Sequence, residues 1–147
     1  MKSRMIRLIC AIAILAIAAP LFAQFGHPLK GSWSGEWWVK KGDENRILLD
    51  FDWDGKALKG VLNPGTDNST LQNLTLQTPP INDVSKGMDP WLLHFEADTK
   101  DAKGNSTMIV ADGTMRDVGL PGRSMVGAWT QTSGGKTVKG DFRISRQ

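Results

Sequence analysis

The sequence predicts an all-β protein, a single antiparallel eight-stranded up-and-down barrel. Three observations support this prediction. Beyond residue 23, apolar and polar residues alternate with period two almost everywhere, and no stretch keeps a helical period. Glycine and proline recur between the alternating runs, as turns between short strands require. There are eight such runs, and eight strands are enough to close a small barrel.

The alternating runs define the predicted strands. The clearest is 46–53, in which four large apolar side chains alternate with polar ones. Asp54 and Gly55 follow it and predict a type I′ hairpin turn, in which both central residues have positive φ. A β-sandwich built from the same strands is the alternative architecture. In chain order, the predicted strands are 32–40, 46–53, 56–62, 70–77, 91–98, 106–115, 123–132 and 137–145.

Three details of the pattern add local expectations. Leu71 is out of phase with the apolar residues that follow it in its strand, which predicts a β-bulge. The alternation places Val39 and Val138 on the apolar faces of the first and last strands. The longest connection, 78–90, holds three prolines and a glycine, and a loop of this length suggests a lid or a rim.

The first residues have the layout of a secretion signal. Lys2, Arg4 and Arg7 precede an unbroken apolar run, 8–19, and Ala23 is a suitable cleavage point. The predicted organisation is therefore a signal peptide at 1–23, a lead-in at 24–30 and one β-barrel domain at 31–147. An uncleaved anchor is the alternative, but the apolar run is shorter than the roughly 20 residues that cross a bilayer.

Removal of the signal changes the composition. The chain has 18 basic and 15 acidic residues, and three of the basic ones lie in the signal, so the remainder is neutral. A neutral domain without a basic cluster does not predict nucleic-acid binding. The only cysteine, Cys10, is also lost. A cysteine-free exported domain indicates a bacterial envelope, and the predicted location is periplasmic or secreted, without stable membrane insertion after cleavage.

One motif resembles a known group of proteins. Gly31-Ser32-Trp33 on the first strand, followed by a meander of eight strands in a small exported chain, resembles the calycins, which include lipocalins and avidins. The resemblance implies a barrel and a structural role for Trp33, which plugs one end of the barrel in that group. The avidin ligand shell uses a tyrosine, and this chain has none. The resemblance therefore implies an architecture and no particular ligand.

Large rings on the predicted apolar faces are the candidate ligand-binding residues. The chain has six tryptophans, and such rings either fill a core or line an apolar pocket. Trp38 falls on the opposite face of its strand, and Trp91 is near a strand end. Core packing therefore explains these two rings least. The candidate ligand-binding residues are Trp37, Phe51, Trp53, Trp91, Phe95 and Trp129.

No catalytic or metal-binding motif is recognisable in the sequence. Two histidines are too few for a three-histidine metal site, and no nucleophile elbow occurs. No cofactor is predicted. Glu36, His94 and Asp112 could act as acids and bases only inside a pocket, whereas the alternation groups each with polar neighbours.

Three hypotheses for function follow. The first is a non-enzymatic exported barrel that binds a small apolar or amphipathic molecule. The second is a surface interaction module, of carbohydrate-binding type, built as a sandwich with Trp38 or Trp91 as a stacking platform. The third is a small barrel isomerase or cyclase that uses Glu36, His94 or Asp112.

Overall fold

The computed structural model is a closed antiparallel barrel in which each strand pairs with its neighbours in sequence and the last strand pairs with the first. The structure describes residues 26–65, 68–78, 90–101, 103–116, 118 and 122–147. The strands are β1 Gly31–Trp38, β2 Asn45–Trp53, β3 Leu58–Leu62, β4 Ser69–Gln77, β5 Trp91–Lys100, β6 Ser106–Arg116, β7 Ser124–Ser133 and β8 Lys136–Arg146.

The predicted barrel is confirmed, and the sandwich alternative is wrong. A sandwich leaves edge strands unpaired, whereas β1 pairs with both β2 and β8. Each strand begins and ends within two residues of its predicted bounds. The predicted bulge is also confirmed, because the register between β4 and β5 shifts between Gln72 and Thr75, and Asn73 has a positive φ of 48°.

The predicted type I′ turn after β2 is wrong. Four residues, 54–57, separate β2 from β3, and only Gly55 among them has a positive φ, of 93°. The Asp54 carboxylate instead accepts hydrogen bonds from the backbone N–H groups of Lys56 and Ala57. These bonds hold the pKa of Asp54 at about 2. A side chain that caps its own turn removes the need for the tighter hairpin.

The barrel interior is packed with the side chains that the alternation places inward. Its two ends are called here the lead-in end, where β1 begins, and the far end, where β1 leads into β2. Val39 and Val138, which the alternation places on apolar faces, reach the far end and are exposed rather than buried. The buried apolar residues of the strands are Trp33, Ile47, Leu49, Phe51, Leu62, Leu71, Leu93, Phe95, Ala97, Ile109, Ala111, Met115, Met125, Trp129, Phe142 and Ile144.

Large rings fit into the barrel because glycines face them. A Cβ atom on Gly140 would lie 2.6 Å from Cζ2 of Trp129, and one on Gly127 would lie 2.6 Å from Cε1 of Phe142. Real Cβ atoms do not approach other atoms so closely, because interiors are already close-packed. These inward positions are therefore left without side chains so that two rings can occupy the space.

The lead-in packs into its end of the barrel. Leu29 and Trp33 are both 0% exposed, and the Trp33 indole N–H donates a hydrogen bond of 2.8 Å to the Leu29 carbonyl oxygen. The Arg123 guanidinium donates another to the carbonyl oxygen of Pro28. No helix in the described ranges is both long and apolar enough to span a bilayer. The predicted signal at 1–23 lies outside the residues that the structure describes.

Candidate functional site

The six candidate rings do not form one site. Trp37, Phe95 and Trp129 surround a cavity towards the far end, and the Trp37 and Trp129 rings lie 5.0 Å apart between centroids. This cavity measures about 10 Å³, which is about the space that one water molecule needs. These three rings therefore leave no room for a ligand in this part of the barrel.

The other three candidate rings lie towards the lead-in end. Phe51 packs edge-to-face against Trp33, with a centroid distance of 6.4 Å. Trp53 lies 4.9 Å from the His27 ring of the lead-in. Trp91 begins β5, is partly buried and packs against the core. The predicted lid, 78–90, falls mostly on 79–89, which lies outside the described residues.

A wide concave site lies on the outer wall of the barrel. It is a groove across β5, β6, β7, β8 and the end of β1, with a volume of about 780 Å³. We call it the wall groove. Its lining residues are Trp38, Leu92, Leu93, Asp112, Gly113, Thr114, Val126, Gly127, Ala128, Asp141, Phe142 and Arg143.

Strand register brings these side chains together from distant parts of the chain. Leu92 is opposite Thr114, and Thr114 is opposite Val126, which gives one outward row across three strands. Leu92 and Val126 are 49% and 48% exposed. In the next row of the register, Gly113 and Gly127 contribute only backbone to the groove, and Phe142 lies directly behind these two glycines.

The adjacent outward row carries the charged groups. Asp112 is opposite Ala128, Ala128 is opposite Asp141, and Asp141 is opposite Trp38. Asp112 and Asp141 are exposed, and Trp38 is half-buried. The wall groove therefore has one row with two apolar side chains, which continues from Val126 to Arg143, beside a second row that contains two carboxylates and an indole.

His94 is positioned at the edge of the wall groove. Its Nδ1 lies 2.7 Å from a carboxylate oxygen of Asp112, and its Nε2 lies 3.6 Å from a carboxylate oxygen of Glu96. The hydrogen bond to Asp112 is the main cause that raises the pKa of His94. Because Asp112 accepts through one oxygen, its other oxygen is outside this bond.

The proposed acid and base residues do not converge on a pocket. Glu36 is exposed and lies 3.6 Å from the Arg143 guanidinium, while His94 and Asp112 pair with each other on the outer wall. The isomerase or cyclase hypothesis places these side chains in a pocket, but Glu36 and Asp112 line different concave surfaces. Across the described part of the chain, no three His, Cys, Asp or Glu side chains form a group that could hold a metal ion.

Comparison with known proteins adds no family to this description. The chain has no significant match among protein-family models, curated proteins or solved structures. The wall groove was missed at the sequence level because its rows depend on cross-strand register. A signal was nevertheless present, since Leu92 lies on the otherwise polar side of its strand.

Proposed function

We propose that this protein binds a small amphipathic molecule in the wall groove rather than in the barrel interior. The observation that carries the proposal is the difference in volume, about 780 Å³ for the groove against about 10 Å³ for the interior cavity. Small-molecule sites commonly measure about 300 to 1,000 Å³. The ligand class is the one expected from the sequence, and its place is different.

The chemistry of the wall groove supports an amphipathic ligand. Leu92 and Val126 expose about half of their surface on either side of Thr114 in one row, and exposed apolar patches can mark a binding surface. Asp112, Asp141 and Arg143 supply charge along the same groove. A molecule with an apolar tail and a polar head would place each part against matching groups.

The setting that we propose is the periplasm or the cell exterior. Support comes from residues 1–23, where a basic start, an apolar run and Ala23 form the pattern of a secretion signal. We also propose a relationship to the calycins, supported by the Gly31-Ser32-Trp33 motif and by the closed eight-stranded barrel. In this relationship, Trp33 would close the lead-in end of the barrel.

A second candidate function is carbohydrate binding. It is favoured by Trp38, whose indole is partly accessible and lies in the same row as the Asp141 and Asp112 carboxylates. An aromatic face beside hydrogen-bonding groups is suited to a sugar ring. The two candidates differ in the part of the ligand that contributes to affinity: an alkyl tail in the first and the sugar itself in the second.

The test uses calorimetry with n-octyl glucoside, below its micellar concentration, and with glucose. We expect binding of octyl glucoside and none of glucose. Val126→Ser should weaken binding about fourfold, because each buried CH₂ contributes roughly 0.8 kcal/mol. Val138→Ser is the matched control, because Val138 is 45% exposed and lies outside the groove.

Three results would decide against the proposal. Binding of glucose as tight as that of octyl glucoside would favour the carbohydrate alternative. Equal affinity of the Val126→Ser and Val138→Ser variants would show that the ligand does not occupy the wall groove. Absence of binding by any octyl amphiphile, charged or neutral, would contradict the proposed function itself.

A further inference from the structure

The two carboxylates of the wall groove flank a small residue. Ala128 lies on β7, and the residues opposite it on the two neighbouring strands are Asp112 on β6 and Asp141 on β8. Neighbouring strands lie about 4.8 Å apart, so the two Cα atoms are separated by about 10 Å across the row. Ala128 extends only a methyl group, which leaves space above it. A carboxylate lies on each side of this space.

An aromatic ring completes the same row. Trp38 follows Asp141 in the register and lines the wall groove. The face of an indole attracts cations, more strongly than the face of any other side chain. Two carboxylates on either side of one small residue, with an indole beyond Asp141, are thus complementary to a positively charged group of the size of an ammonium.

Positive side chains also lie beside this row: Lys139 and Arg143 flank Asp141 on the exposed face of β8, and His94 is next to Asp112. Arg143 lies 3.6 Å from the Glu36 carboxylate on β1. His94 contacts Asp112 from β5, on the side of Asp112 that faces away from Ala128. The two residues directly opposite Ala128 are nevertheless both carboxylates, Asp112 and Asp141.

We propose that the ligand of the wall groove is an organic cation with an apolar tail. The ammonium head lies over Ala128 between Asp112 and Asp141 and against Trp38, and the tail follows Val126 towards Leu92. This inference rests on the proposed function of the same groove and adds the sign of the ligand's charge.

The experiment compares three probes that share an octyl tail: octyltrimethylammonium, octyl glucoside and octanoate. Each is titrated below its micellar concentration into the full domain at low salt, near neutral pH. We expect octyltrimethylammonium to bind most tightly and octanoate least tightly. Its affinity should fall as salt is added, because exposed charges are screened.

Variants then locate the charge effect. Asp112→Asn and Asp141→Asn should each weaken octyltrimethylammonium binding about fivefold, the factor for one Coulomb contact at about 4 Å in water. They should leave octyl glucoside binding unchanged. Asp50→Asn is the matched control, because Asp50 is an exposed carboxylate of β2 that does not line the groove.

The outcomes separate the two proposals. Equal affinity for the three probes, or tighter binding of octanoate, would overturn the cation inference while the groove remains the amphiphile site. The cation inference is also overturned if Asp112→Asn and Asp141→Asn weaken octyltrimethylammonium binding no more than Asp50→Asn does. If none of the three probes binds, the proposed function fails, and the cation inference fails with it.

Discussion

Gly127 on β7 lies directly against Phe142 on β8, so close that a Cβ on Gly127 would stand 2.6 Å from Cε1 of the ring. The ring fills the interior on one side of the wall, and the bare backbone forms part of the groove on the other side. The filled core and the outer groove are therefore consequences of the same glycine.

Gly127→Ala is expected to destabilise the barrel by about 1 to 3 kcal/mol, the usual cost of overpacking. The added methyl group would meet the Asp112 carbonyl oxygen and the Cα of Gly113 as well as the ring, and backbone atoms cannot rotate away. Urea denaturation measures the loss. Gly26→Ala is the control, because no atom lies within 4 Å of the added Cβ, and an equal cost in both variants would contradict this packing.

Two adjacent leucines test the inward and outward alternation. Leu93 is buried and Leu92 is 49% exposed. We expect Leu93→Ala to lower the free energy of unfolding by about 2 to 5 kcal/mol. Leu92→Ala should change it by no more than about 0.5 kcal/mol, as is usual for surface positions. Similar costs at the two positions in chemical denaturation would be inconsistent with the register of β5.

The hydrogen bond between Trp33 and Leu29 predicts that the lead-in contributes to stability. Trp33→Phe should cost about 2 to 4 kcal/mol, because it leaves a buried carbonyl unpaired and part of the ring volume empty. Trp38→Phe is the comparison, since Trp38 is half-buried on the outer wall. A loss for Trp33→Phe no larger than that for Trp38→Phe would show that the lead-in does not close this end.

The two histidines should affect the pH dependence of stability in opposite directions. The pKa of His94 is raised, chiefly by Asp112, so its stabilising effect is full below its ordinary pKa and is lost as pH rises through the raised value. Burial lowers the pKa of His27, so its effect is full above the ordinary pKa and declines below it. These are the only histidines in the chain.

Denaturation between about pH 5 and 8, where histidine titrates, separates the two effects. Wild type should lose stability towards the upper end of this range as His94 loses its proton, and His94→Gln should not show this loss. Wild type should also lose stability towards the lower end as His27 gains a proton, and His27→Gln should not show that loss. A His94→Gln variant whose stability falls towards alkaline pH as steeply as that of wild type would contradict the contact with Asp112.

Much of the architecture could be predicted because alternation encodes which face of each strand is buried. The bulge near Asn73 was also visible, since Leu71 breaks the phase of its strand. The turn at Asp54 was not, because a carboxylate that caps its own turn competes with the type I′ geometry. The exposure of Val138 was missed because alternation does not show where the core ends.

The wall groove could not be predicted from one strand at a time. Leu92, Thr114 and Val126 come from three strands, and only the register makes them neighbours. The alternation likewise identified the large inward rings but did not show whether space remained between them. That depends on how rings such as Trp129 fit against glycines on other strands.

Nuclear magnetic resonance of the indole N–H groups tests the location of the ligand site most directly. The chain has six tryptophans, of which Trp38 lines the wall groove and Trp37 and Trp129 line the interior cavity. Titration with octyltrimethylammonium should shift the Trp38 signal and leave those of Trp37 and Trp129 in place. Shifts of Trp37 and Trp129 without a shift of Trp38 would place the ligand inside the barrel and contradict the account.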